Sequence, residues 1–209
     1  MKKEEKTKQT REKILHAALI EFGSKSYDAV SLNAVCSKYQ IAKGLIYHNF
    51  KNKDELYLKC VEKSFERLIC YLKEAGIEAE GVRGEIQQFL EKREEFFEQN
   101  PYDRMIFFNA MLFPAEHLTK ELFQITSRYE VYIRERYQKL LSKIRLRDGI
   151  SLDLAVEYLI LFQNVYNSYY QNKASKAGDF TQFIEEHDLK ISGFLDMILY
   201  GISTEEKVR

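Results

Sequence analysis

Apolar residues recur at steps of three and four along most of this chain, the period that lines one face of an α-helix. Ile14, Leu15, Ala18, Leu19 and Phe22 form the first such stripe. Leu32, Val35, Cys36 and Tyr39 form a second and shorter one, with Ser31 just ahead of it as a capping residue. A third begins near Ala42 and buries Ile41, Ile46 and Phe50, so that Lys43, Gly44, Leu45, Tyr47 and His48 point outward. Three helices are predicted, the last small enough to enter a major groove about 12 Å wide.

Downstream, Lys-Asn-Lys-Asp-Glu-Leu opens a long helix that Asn52 or Asp54 can cap and that continues through Leu56, Cys60 or Tyr57, Ser64, Leu68 and Tyr71 to about Glu74. Three glycines between Ala75 and Gly84 predict a loop. A helix from Glu85 to Gln99 carries Ile86, Phe89, Leu90, Arg93, Phe96 and Phe97 on one side. Pro101 starts another, apolar nearly all round, and Pro114 stops it. A long amphipathic helix is expected from Ala115 to about Leu146, with Leu118, Leu122, Ile125, Tyr129, Tyr132 or Ile133, and Arg136 facing inward. Ser151 caps the next helix, whose centre is too apolar to leave a free face, and Asp179 caps the last. The expected fold is all-α, about nine helices, with a head at residues 1–54 and a helical body at 55–209.

The order Ile14-Leu15-x-Ala17-Ala18-x-x-x-Phe22, then Ser31-Leu32, then Lys43-Gly44-x-Ile46-Tyr47-His48-x-Phe50, then Lys53-x-x-Leu56 resembles the N-terminal domain of the TetR/AcrR family of transcriptional regulators. The likeness covers roughly residues 8 to 60. It implies a helix-turn-helix head on a variable helical body, a double-stranded DNA operator of (pseudo)palindromic sequence, a homodimer, and release by a small-molecule effector. Ser31, Lys43, Tyr47, His48 and Lys53 are then expected to hold phosphates, while Gly44 permits close approach and Leu45, with Lys43 or His48, touches base edges. Two departures bear on the operator sequence. Tyr39-Gln40 stands at the corner where the family usually has a glycine, and a left-handed Gln40 costs about 1 kcal/mol relative to glycine. Ala42 and Leu45 stand where the family commonly has Ser or Thr.

Charge adds a direction. The chain is neutral overall, with 32 basic and 32 acidic residues, yet residues 1 to 60 carry a balance of +5 and the remaining 149 a balance of −5. The basic end coincides with the reading head. Residues 1 to 8 are lysine-rich and read as a solvated tail. No long apolar run is present, and a cytoplasmic location without membrane attachment is expected. Cys36, Cys60 and Cys70 have no metal-like spacing, and Cys36 reads as a small core residue.

Enzyme chemistry finds little support. No Walker loop, dinucleotide fingerprint or nucleophile elbow is present, and none of the four histidines has a glutamate three residues before it, as a di-iron bundle requires. No catalytic residue, cofactor or metal is expected, and Glu185 to Asp188 read as solvated charge beside an interface histidine.

The body holds most of 14 Tyr and 14 Phe together with amides inside apolar runs. Phe89, Phe107, Phe108, Met111, Tyr129, Phe162, Asn164 and Tyr166 are the candidate lining for an aromatic or lipophilic effector. The last two helices have more apolar surface than one chain covers, which predicts a two-fold four-helix interface through Phe162, Tyr169, Phe180, Ile184, His187, Ile191, Phe194 and Ile198. The alternative to a regulator is a helical ligand-binding or adaptor protein that keeps the three-helix head only as scaffold.

Overall fold

The apolar stripes fold as helices whose ends fall at the residues suited to stop or start them. A computed structural model describes residues 2–174 and 180–203, with side chains described outside 1–4, 171, 174–184 and 188. Among these residues there are nine α-helices and no strand: α1 Lys2–Phe22, α2 Leu32–Lys38, α3 Lys43–Asn49, α4 Lys53–Glu74, α5 Gly81–Gln99, α6 Pro101–Leu112, α7 Thr119–Leu141, α8 Leu152–Ala174 and α9 Phe180–Ile202. A single 3₁₀ turn, Glu116–Leu118, precedes α7.

Local chemistry explains several helix starts. Asn52 Oδ1 accepts from the backbone N–H of Glu55 at 2.9 Å, and Glu55 Oε2 accepts from the N–H of Lys51 at 2.7 Å, which satisfies two donors at the start of α4. Asn52 is thus the capping side chain, and Asp54 is bonded to Tyr27 instead. Pro101 occupies the first turn of α6, and Ser151 Oγ accepts from Leu154 N–H at 3.2 Å to start α8. The Asp179 cap lies outside the described residues.

Three boundaries differ from expectation. The N-terminal tail is helical from Lys2 onward, with Thr10 Oγ1 bonded to the Lys6 carbonyl at 2.9 Å. The loop ends at Gly81 rather than Gly84, because the first turn of α5 tolerates both glycines while Gln88 Oε1 accepts from the N–H groups of Glu78 and Ala79. The segment 115–146 is shorter as a helix: Pro114 leaves a 3₁₀ turn at 116–118, and α7 ends at Leu141.

The chain divides into two compact units, residues 1–68 with 96–127 and residues 69–95 with 128–209. In the first, α1 packs against α2, α3 and α6, burying Ile14, Leu15, Ala18 and Phe22, while Leu19 is half-buried. Phe65, Phe97, Phe107 and Phe108 fill its interior, with centroids 5.0 to 5.8 Å apart, and Arg67 pairs with the buried Asp103. In the second, α8 and α9 pack on each other around Tyr166, Tyr170, His187, Ile191 and Leu195.

Candidate nucleic-acid interface

Seven-residue helices are too short to hold themselves, so α2 and α3 depend on what they pack against. Leu32, Val35, Ile41, Ile46 and Phe50 are buried against α1, whereas Cys36 and Tyr39 are only half-buried. Ser31 has the extended backbone of a capping residue, but its side chain makes no capping bond, and Ala42 at the start of α3 has none to offer. Other contacts compensate. Arg11 Nη1 on α1 donates to the carbonyl of Asn49 at 2.7 Å, and its guanidinium lies 4.3 Å from the Phe50 centroid, closing the C-terminal end of α3. The corner forms with Gln40 at φ 52°, and the Ile41 N–H bonds back to the Cys36 carbonyl at 3.0 Å, the bond that ends a helix through a left-handed residue.

Glu21 is a positioning residue that the apolar pattern does not reveal. It sits in α1 with 2% of its surface exposed, accepting from Lys25 at 2.7 Å, from Lys38 at 2.5 Å and from the Tyr39 hydroxyl at 3.1 Å. It thereby ties the end of α2 to α1. Bonds from Lys25 and then Lys38 hold its carboxyl at about 2, against an ordinary 4.5. A depressed carboxyl stabilises the fold above its unfolded value and ceases to do so as pH falls from 4.5 toward 2. Glu21→Gln should therefore lower stability by about 2 kcal/mol at pH 7, with the gap to the parent closing at pH 2. Denaturant melts at both pH values check this, and a gap of equal size at both would refute it.

With that side fixed, the opposite side of α3 faces out. Lys43, Gly44, Leu45, Tyr47 and His48 are all exposed, as is Ser31, and the two large apolar members are 43% exposed at Leu45 and 49% at Tyr47. Lys43 Nζ stands 5.9 Å from the Tyr47 centroid. Lys53 opens α4 half-buried, its ammonium 4.1 Å from the ring of Tyr27. Tyr27 is itself fixed by a bond from its hydroxyl to Asp54, by the Tyr57 ring at 5.0 Å and by the Phe22 ring at 6.1 Å. Lys53 is thus held at one place on the surface rather than swinging free. A Cβ built on Gly44 meets nothing within 4 Å, so no contact inside the chain requires glycine there.

Residues 14–60, which span this whole arrangement, match the family described as bacterial regulatory proteins, tetR family. The match is to the head alone, less than a quarter of the chain. It is 33% identical over 69 residues to the TetC protein of transposon Tn10 from Escherichia coli, which is 33% of this chain and 35% of that one. It is 34% identical over 62 residues to IcaR, the negative transcriptional regulator of a biofilm operon in Staphylococcus epidermidis, which is 30% of this chain and 34% of that one. The chain thus spans about a third of the length of these curated relatives. A TetR family transcriptional regulator from Chloroflexus aurantiacus has the same fold, with a TM-score of 0.61 at 17% identity over 95% of both chains. So does FadR from Bacillus subtilis, solved with stearoyl-CoA, with a TM-score of 0.64 at 14% identity over 91% of this chain and 98% of that one.

In the body the candidate pocket residues fall into separate settings. Phe107 and Phe108 are buried among other phenylalanines of the first unit, and Met111 is half-buried. In the second unit Phe89 and Tyr129 flank Tyr132, with centroids 6.4 and 6.5 Å away. Phe162 stacks with Tyr166, Phe194 meets the first at a tilt and the second edge-on, and the Tyr166 hydroxyl donates to the His187 carbonyl at 2.8 Å. Asn164 is exposed, and Asn167 is bonded to His187 Nε2 at 2.9 Å.

The candidate interface residues divide similarly. Tyr169 and Phe194 are exposed and Phe162 is half-buried, but His187, Ile191 and Ile198 are buried against α8 of the same chain and not turned outward. The side chains of Phe180 and Ile184 lie outside the described residues. What faces out along α8 is Leu154, Tyr158, Leu161, Val165 and Tyr169, an apolar stripe at steps of three and four that continues on α9 as Phe194, Met197 and Tyr200. Part of this face is a groove of about 580 Å³ lined by Leu154, Tyr158, Phe162, Phe194 and Met197. Among the described residues no helix is long and apolar enough to cross a membrane, and no cluster of His, Cys, Asp and Glu is arranged to hold a metal.

Proposed function

We propose that this chain is a dimeric transcriptional repressor that binds a (pseudo)palindromic operator and is released by a small molecule held in its body. The observation that carries the reading is α3 itself: Ile46 is wholly buried while Lys43, Gly44, Leu45, Tyr47 and His48 form an exposed basic and aromatic rim. Leu45 and Tyr47 are poor choices for a surface that meets only water, and good ones for a thymine methyl and a phosphate. Residues 1–54 act as the head and 55–209 as the body. The apolar stripe of α8 and α9 meets its own copy across a two-fold axis, which sets two heads about 34 to 36 Å apart on successive major grooves.

Release acts through α4, which carries Lys53 at one end and Tyr71 and Lys73 near the other. A hundredfold loss of operator affinity requires about 2.7 kcal/mol of coupling, supplied by an effector that prefers the form unable to bind DNA. FadR from Bacillus subtilis, which shares the fold, is solved with stearoyl-CoA.

Retardation of the DNA upstream of the chain's own gene tests the reading. The parent should bind it in excess competitor, with affinity falling steeply in salt at a log–log slope of about −0.9 per phosphate neutralised. Lys43→Ala and Tyr47→Ala should each weaken binding about tenfold with helical content and mass unchanged, and Lys43→Ala should also flatten the salt slope by about one phosphate. Absence of retardation for the parent at low salt would exclude operator binding and leave the adaptor reading.

A further inference from the structure

We infer that the effector carries a carboxylate on an apolar or aromatic body, and that Arg136 and Tyr132 on α7 receive the carboxylate. The inference rests on the reading of the body as effector-binding, and it names the chemical class of the ligand. Its starting point is a charge without a counter-charge. Arg136 is half-buried, and its Nε and Nη2 are sealed from solvent with no hydrogen-bond partner. No described carboxylate pairs with it; its close neighbour is the face of Phe89 on α5, with the guanidinium carbon 5.6 Å from the ring centroid.

One turn earlier on the same face, Tyr132 is 6% exposed and its hydroxyl also lacks a partner. Phe89 and Tyr129 flank Tyr132 at 6.4 and 6.5 Å, and the ammonium of Lys73 on α4 stands 5.8 Å from the Tyr132 ring. Burial raises the Tyr132 phenol above its ordinary value, which keeps it a donor at neutral pH.

Buried guanidinium donors are almost always satisfied, because leaving them open in a poorly polarisable interior is costly. Here three donor positions stand open on two residues one turn apart, within an aromatic enclosure and in the acidic part of the chain. A guanidinium edge matches the two oxygens of a planar carboxylate, and the phenol can supply a further bond to either of them. The rings of Phe89 and Tyr129 suit an alkyl chain or an aromatic ring behind that head group. A neutral effector would leave Arg136 uncompensated, and a cationic one would be repelled by Arg136 and Lys73.

Thermal unfolding of the full-length chain, titrated with sodium decanoate and with sodium benzoate, tests this against 1-decanol and benzyl alcohol, which share the bodies and lack the charge. At least one acid should raise the midpoint saturably at a concentration about tenfold below its alcohol. Arg136→Met should erase that preference, Arg136→Lys should keep part of it, and Tyr132→Phe should weaken it severalfold. Without ligand, Arg136→Met should melt no lower than the parent, because it removes an unpaired charge.

If neither acid is preferred to its alcohol, if Arg136→Met keeps the preference, or if Arg136→Met loses helical content, the inference is wrong. Operator retardation without ligand, run on the same proteins, separates this from the regulator reading. Failure of every form to bind DNA would sink that reading and leave the carboxylate result standing.

Discussion

Glutamates at Leu161 and Val165 together should leave the chain monomeric and lower operator affinity at least about 100-fold. Both residues lie on the outward stripe of α8, 57% and 60% exposed in the single chain. Glutamate is a good helix former and stays solvated there, so the isolated chain should lose no more than about 0.5 kcal/mol. In a two-fold interface each substitution appears twice, and four carboxylates would be taken out of water against apolar neighbours and one another. With one head per molecule, the second half-site no longer contributes to binding. Sedimentation should give the parent about twice the 24.8 kDa chain mass and the variant the mass of one chain. A parent that sediments as a single chain, or a variant that stays paired, would refute the interface.

The second large effect contrasts two glycines. Gly23 closes α1 in the first unit, and a Cβ there would lie 2.7 Å from the Cα, the Cβ and the carbonyl oxygen of Tyr102 near the start of α6. Two of those atoms are backbone, so no rotamer change relieves the overlap, and α1 and α6 would have to separate. Overpacking of this kind costs about 3 kcal/mol. For a chain of this size that is a fall in melting temperature of roughly 6 to 12 °C for Gly23→Ala. Gly44→Ala should do the reverse, because its Cβ meets nothing and alanine is favoured over glycine in a helix, by up to about 1 kcal/mol. Calorimetry on the two variants decides it. Equal shifts in one direction would refute the close approach of α1 and α6 at Gly23.

The contrast between the two glycines shows how unevenly the structure could be read from the chain. Helix existence was legible because the stripes at Ile14–Phe22, Leu32–Val35 and Leu56–Leu68 are amphipathic, and because Asn52, Pro101 and Ser151 carry their effects locally. The outward set on α3 followed from the same periodicity, since burying Ile46 and Phe50 leaves the rim no other place. The outward face of the body was less legible. The centre of α8 is apolar nearly all round, so nothing in its order tells that Leu159 and Tyr166 turn inward while Leu161 and Val165 turn out. On α9, His187 and Ile191 turn to α8 of the same chain. Glu21 and Arg136 were hidden for another reason: what sets them apart is the presence or absence of a partner in space, which periodicity does not encode.

Gly44 holds a further implication. Folding alone favours alanine there, whereas a duplex lying against α3 would collide with the added methyl. If α3 reads an operator as proposed, a descendant of this chain released from that task would be expected to drift to alanine at that position.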